Sequence, residues 1–270
     1  MPQLIVQADD IAITHGTTLG ILDAITNGIV RATGMFANCP DAEFAASRLR
    51  ALKDVDVGID LNFVTGVPIL SPGDIPGLVT AGGRFRSSGE IRAAHRVIGG
   101  DAVYAEFDVD PFDGDETAAE AQAQIDRFQE LMGRPPAYIH HHSLVSPISD
   151  EVVRQAAAQL SLPFVDDLYR IGGLPLLPND WYAKPFPLTD QASADAVGAI
   201  ARLLPMILEN EVSLLITHPG FVDAEILELS SYSIIRARDL ELVTSPAARQ
   251  LLADAGVEVT SFTQSGIFAA

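Results

Sequence analysis

The stretch "LIVQADDIAITHGTTLGILDAITNGIVR", residues 4–31, decides how the fold is read. It opens on Leu4, Ile5 and Val6, an apolar run that reads as a buried strand over 3–8. From Thr17 onward apolar side chains return at helical spacing, so a helix is expected over 17–31. A strand handing over to a helix is the first half of a parallel crossover unit. Between the two sit adjacent carboxylates, Asp9 and Asp10. An unpaired charge is costly to bury. The pair is therefore either a surface turn, with Asp as a cap, or a pair put to use.

Moving outward, strand and helix patterns keep alternating. A helix is expected at 41–53, opened by Asp41, and a strand at "VDVGIDLNF", 55–63. An amphipathic helix spans 116–132 and ends at Gly133 and Pro135. "AYIHHH", 137–142, is strand-like, and a helix follows over 149–159. A long Ala/Leu-rich helix is expected over 190–210, kinked or divided at Pro205. "VSLLITH", 212–218, reads as a short buried strand, a helix follows Ser245–Pro246, and "VEVTSF", 257–262, is the last strand. Such alternation predicts an α/β protein with a mostly parallel sheet, open or closed into a barrel. Residues 64–105 and 163–190, rich in Gly and Pro, are expected to be long loops over the carboxyl-end face.

Composition bounds the function. The chain has 270 residues, 48% of them hydrophobic, with no long linker and no fixed-period repeat, so one domain over 1–270 is expected. Its 17 basic and 36 acidic side chains leave a net charge of −19. That surface repels nucleic acid and anionic lipid and favours neutral or cationic ligands. "DVDPFDGDE", 108–116, lacks the spacing of a calcium loop and reads as a solvated lead into a capped helix. The single cysteine, Cys39, excludes an intramolecular disulfide and reads as a small apolar residue. There is no signal-peptide pattern at the start and no long uninterrupted apolar stretch, so a soluble cytoplasmic protein is expected.

Ligands of parallel α/β proteins bind at the carboxyl ends of the strands. Here those ends carry Asp9–Asp10, Asp60 with Asn62, His140–His141–His142, and His218 followed by Pro219 and Gly220. Carboxylates and imidazoles delivered to one rim are the chemistry of a divalent metal. Alternation along a strand puts His140 and His142 on one face and His141 on the other. The competing reading of His140 and His142 is a hydrogen-bonded core pair. His15 and His95 read as solvent-facing.

These residues resemble the YdjC-like (ChbG-type) carbohydrate deacetylases. The opening stretch, "VGIDLNFVTGVPI", "DIPGLVTAGGRF", "QIDRFQELMGRPPAYIHHHSLVSP", "THPGFVD" and "SYSIIRARDLELVTSPAARQLL" carry the likeness in order, over nearly the whole chain. The resemblance implies a single-domain deformed (β/α) barrel and removal of acetyl groups from N-acetylated sugars or oligosaccharides. It also implies one divalent metal ion and a homodimer. Zinc, magnesium, manganese and cobalt all suit mixed oxygen and nitrogen ligands. By position, Asp9 would be the general base, Asp10 and His142 metal ligands, and His218 would protonate the leaving amine or stabilise developing charge. Arg238 and Glu241 match an R-x-x-E-L element near the site, where Arg238 would orient a catalytic carboxylate; a salt bridge at a helix start is the competing reading. Asn62, Pro219 and Gly220 are expected to touch substrate.

The departures carry information too. The family has a metal histidine where this chain has Asp60, and an aspartate where it has His140. Its DDFG is here Asp9–Asp10–Ile11–Ala12, and its usual first-loop Asn corresponds to Thr18. A compensated exchange would have Asp10, Asp60 and His142 ligate the metal, with His140 as fourth ligand or as a hydrogen-bond partner of Asp60. The alternatives are a sugar-binding pseudoenzyme without the metal and a metal-dependent hydrolase of another sugar substrate.

Overall fold

The computed structural model describes residues 1–101, 103–182 and 187–269. In chain order the elements are β1 (Gln3–Ile11), α1 (His15–Asn27), β2 (Ala32–Met35), α2 (Ala42–Leu49), β3 (Asp56–Leu61) and α3 (Ser88–Ala94). Next come β4 (Val97–Gly100), β5 (Ala105–Phe107), α4 (Gly114–Met132), β6 (Ile139–His141), α5 (Pro147–Leu160) and α6 (Val165–Arg170). The last part holds α7 (Leu188–Ser193), α8 (Ala196–Glu209), β7 (Val212–Thr217), α9 (Ala224–Leu229), α10 (Ile235–Thr244), α11 (Pro246–Asp254), β8 (Glu258–Thr260) and α12 (Phe262–Ser265). The expected α/β class with parallel strands holds. Contacts cluster the chain into two compact units: residues 1–35, 40–57 and 167–270, and residues 36–39 with 58–166.

In the first unit β1 is the central strand. It pairs in parallel with β2, with β7 and, over its first residues, with β8. Burial on every side explains its apolar start: Leu4, Ile5 and Val6 are fully buried. Its ladder to β2 runs Ala8↔Thr33 and then Ile11↔Met35, so Asp9 and Asp10 together oppose one residue. This is a β-bulge, and Asp10 takes up the extra residue with φ 72°. A left-handed conformation at a non-glycine residue costs on the order of 1–3 kcal/mol, and it re-aims the strand's last side chains. Threonines on both sides occupy carbonyls next to the bulge: Thr33 Oγ1 donates to Ala8 O at 2.7 Å and Thr217 Oγ1 to Gln7 O at 2.9 Å.

Helix α1 starts earlier than expected, at His15, because Thr14 Oγ1 accepts from Thr17 N at 3.2 Å and caps it. It stops before Gly28, short of residue 31. The expected helix over 190–210 is two helices, and the break lies at Ala194–Asp195, where Asp195 caps α8. Pro205 lies inside α8 and does not divide it.

In the second unit β3 pairs in parallel with β6, with Ile59↔Ile139, Asp60↔His140 and Leu61↔His141 in register. Helix α4 is capped by Asp113 and closed by Gly133 at φ 69°, close to the expected bounds. The expected long loop over 64–105 is more ordered: it contains α3, with a Ser87–Glu90 capping box, and the antiparallel pair β4–β5. Likewise 163–190 contains α6 and the start of α7, while residues 183–186 of that span lie outside the described residues.

Candidate functional site

The first unit brings its groups to the end of β1 and to the loop after β7. Asp9 and Gln7 share a strand face, and Gln7 Nε2 donates to Asp9 Oδ1 at 2.6 Å. Asp10 is 2% exposed and faces Arg236, which is fully buried; Arg236 Nη2 donates to Asp10 Oδ2 at 2.5 Å. Arg236 Nε donates to Tyr232 O at 2.6 Å, which fixes the guanidinium from behind. Such a pair stands only because each charge answers the other.

This corrects the expectation for Arg238. The pattern R-x-x-acid-L occurs twice, offset by two residues: Arg236…Asp239–Leu240 and Arg238…Glu241–Leu242. In α10 the first set, Arg236, Asp239 and Leu240, is buried. Arg238 instead caps the end of α7 through Ala192 O, at 2.9 Å from Nε, and pairs with exposed Glu241 at 2.8 Å. The arginine on a strand-end carboxylate is Arg236, not Arg238.

Asp239 was not singled out by the sequence. Its fully buried carboxylate accepts from Trp181 Nε1 at 2.9 Å, from His218 N at 2.7 Å and from the Tyr182 hydroxyl. Burial pushes the carboxyl up to about 7, against the pull of the His218 and Trp181 donors. His218 is half-buried, its Nδ1 is 3.3 Å from the Tyr182 hydroxyl, and its ring lies 5.1 Å from that of Tyr232. Burial also raises the Tyr232 phenol, and the Asp10 charge adds to the shift.

Pro219 and Gly220, expected at the substrate, are buried against the fold. Gly220 N donates to Arg236 O at 3.1 Å and Phe221 N to Gly16 O at 3.1 Å, which seats the loop on α1. A Cβ on Gly20 of α1 would stand 2.5 Å from Gly220 Cα. Thr18 is also a buried α1 residue, its hydroxyl donating to Thr14 O.

The second unit brings together Asp60 and His140. They are partners across the β3–β6 ladder, both buried, with His140 Nδ1 3.0 Å from Asp60 Oδ1. On the other side of the ring, Nε2 lies 3.8 Å from Asp166 Oδ2. Asp166 in turn accepts from Tyr104 OH at 2.5 Å and from His141 N at 3.2 Å. Asp166 and Tyr104 carried no sequence signal beyond their residue types. His141 points the other way, as alternation requires, against Phe63, and burial pushes its imidazole down to about 4. His142 follows the strand's end: its ring packs on Phe36 at 4.6 Å and its Nε2 faces Thr65 Oγ1 at 3.4 Å.

Asn62, expected at the substrate, has its amide in the loop after β3. Its Oδ1 accepts from Val64 N and Thr65 N at 3.1 and 2.9 Å, and its Nδ2 donates to Thr65 O and Asn38 Oδ1. It folds the loop after β3, and Gln124 of α4 clamps its backbone from both sides. His15, half-solvated as expected, pairs with Asp41 at 2.9 Å, so Asp41 opens α2 without capping it.

Parallel strands ending in buried carboxylates and imidazoles, one carboxylate tethered by arginine, define an α/β protein with acid–base groups at its strand ends. The chain belongs to the YdjC-like protein family, whose model matches residues 3–254. It is 28% identical over 266 residues to a carbohydrate deacetylase of Vibrio campbellii, covering 97% of this chain and 95% of the relative. It is also 28% identical over 272 residues to a chitooligosaccharide deacetylase of Yersinia enterocolitica, covering 96% and 98%. Its fold is similar to the crystal structure of a candidate cellobiose-phosphate cleavage protein of Enterococcus faecalis V583, at TM-score 0.76 and 23% identity over 97% and 98% of the two chains. No helix among the described residues is long and apolar enough to cross a membrane.

Proposed function

We propose that this protein is a carbohydrate deacetylase, an enzyme that hydrolyses the acetamide of an N-acetylated sugar or oligosaccharide with the help of one divalent metal ion. The observation that carries the reading is the end-to-end similarity to relatives named as deacetylases of carbohydrates and chitooligosaccharides. The donor set fits such an ion: buried carboxylate oxygens and an imidazole are the ligands that zinc, manganese, cobalt or magnesium take.

The neighbours of Asp9 and Asp10 divide their roles. Family position makes Asp9 the base and Asp10 a ligand. Arg236 argues for the reverse, because a guanidinium 2.5 Å from Asp10 repels a second cation there. Asp9, steadied by neutral Gln7 and not by a cation, would then be the ligand at the end of β1. In the second unit Asp60 and His140, in register across β3 and β6, are an acid and an imidazole of the kind that holds such an ion. When bound, the ion would polarise the acetamide carbonyl and lower the pKa of a water. Asp10, oriented by Arg236, takes the proton of the attacking water. His218 delivers a proton to the departing nitrogen. Acetate and an amino sugar leave.

The test is metal analysis of the purified protein together with acetate release from N-acetylglucosamine oligomers. Asp10→Asn should lower turnover about 100- to 10,000-fold and retain metal, whereas Asp9→Asn should lose both. The opposite pattern restores the family assignment. Wild-type protein that takes up no divalent ion and releases no acetate overturns the reading. One contact favours a second reading, a sugar-binding pseudoenzyme: His140, set between Asp60 and Asp166, can satisfy its charge without an ion. Sugar binding without metal or acetate release would select it.

A further inference from the structure

We propose that Tyr182 is a positioning residue that fixes which ring nitrogen of His218 carries the transferable proton. The inference rests on the reading of His218 as the acid for the leaving amine. The phenol of Tyr182 has a single proton, and it points to Asp239 Oδ2. Asp239 is committed to that bond by its surroundings: fully buried, it also receives Trp181 Nε1–H and the backbone N–H of His218. Burial raises this carboxyl to about 7, and above that pH the ionised group can only accept.

With its proton spent on Asp239, the Tyr182 oxygen can only accept from His218 Nδ1, 3.3 Å away. Nδ1 therefore carries the hydrogen in the neutral ring, and Nε2 is the basic nitrogen. In the charged ring both nitrogens are protonated, but only the Nε2 proton is mobile. Transfer breaks the Nε2–H bond, forms an N–H bond on the departing amine, and returns the ring to its Nδ1–H form. Asp239 thus acts on the imidazole through the phenol and through the His218 main chain. The Tyr182 and Tyr232 rings, 5.6 and 5.1 Å from His218, hold the ring plane between them.

The experiment is a long-range proton–nitrogen spectrum of protein labelled with 15N-histidine, recorded above the titration of both the ring and Asp239, with His218→Gln to assign the signal. The expected wild-type pattern is a protonated Nδ1 and a bare Nε2. Tyr182→Phe should yield mixed or inverted tautomers, while Trp181→Phe, which spares the Tyr182–His218 contact, should leave Nδ1 protonated. In acetate release, Tyr182→Phe should lower kcat about tenfold or more with KM held. A wild-type Nε2–H tautomer overturns the proposal even if Tyr182→Phe does not fold. So does a Tyr182→Phe spectrum identical to wild type. Failure of wild type to release acetate with the Nδ1–H tautomer present sinks the deacetylase reading and leaves the tautomer assignment standing.

Discussion

The strand ends of the two units solve the same electrostatic problem in different ways. In the first, Asp10 is answered by the guanidinium of Arg236. In the second, Asp60 and Asp166 are answered by His140 and by the hydroxyl of Tyr104. An arginine keeps its charge, so Asp10 has a fixed partner that orients it. An imidazole can give up its proton and turn a lone pair to something else. On the proposed reading, the second arrangement is the one that would exchange a proton for a metal, and the first the one that would hold an acid–base group in place.

The largest expected effect comes from breaking the permanent pair. Arg236→Met leaves the Asp10 carboxylate buried without its cation and should cost about 3–5 kcal/mol in denaturant unfolding. Adding Asp10→Asn should recover much of that loss. If the single variant is as stable as wild type, the contrast drawn above is wrong.

Proton linkage sharpens the comparison next. Asp239 in the first unit is raised from 3.8 to about 7, and His141 in the second is lowered from 6.5 to about 4. Between pH 4 and 6.5 the folded state holds a proton on Asp239 that the unfolded chain releases, so this group's contribution falls as pH rises. His141 does the opposite, because there the unfolded chain binds the proton. The two slopes oppose each other. Asp239→Asn should therefore uncover a stability that climbs with pH by about 1.4 kcal/mol per unit, and His141→Gln a stability that declines by about as much. Glu120, raised by burial, adds a declining component to both variants alike. Parallel stability–pH curves for the two variants would refute the assignment.

A reciprocal exchange probes the titratable side. Asp60→His or His140→Asp alone should weaken metal binding about 10- to 100-fold, because each leaves two like groups facing across the ladder. The double exchange reproduces the arrangement that the family resemblance implies and should regain most of the affinity by calorimetry. Equal losses in single and double variants would show that the pair is not an exchange. Smallest of all, Arg238→Met should cost less than about 1 kcal/mol, as for other exposed pairs.

Strands β1, β3, β6, β7 and β8 and helices α4 and α5 were readable because their periodicity is strong or their ends carry caps: Asp113 and Gly133 at α4, Ser146 at α5. Strand β2 was not, since "ATGM" is short and contains a glycine. The polar strand ends were legible as residue types, and the β3–β6 register sets Asp60 against His140. Periodicity could have chosen between the two overlapping R-x-x-acid-L registers, because Arg236 and Asp239 fall on the face shared by Ile235, Leu240 and Val243. Asp166, Tyr104 and Tyr182 act through contacts distant in sequence, which no local pattern encodes. Asn62 looked like a ligand-facing amide because a turn-forming asparagine and a binding one are the same residue until the loop closes.

The missing side chain at Gly20 has a reach beyond its own helix. Because the main chain at Gly220 lies where a methyl group on Gly20 would go, α1 serves as a spacer that sets the height of the following turn and, two residues back, of the His218 imidazole. Enlarging that spacer by a single carbon would relocate the imidazole proposed as the proton donor without altering any of the ring's own partners.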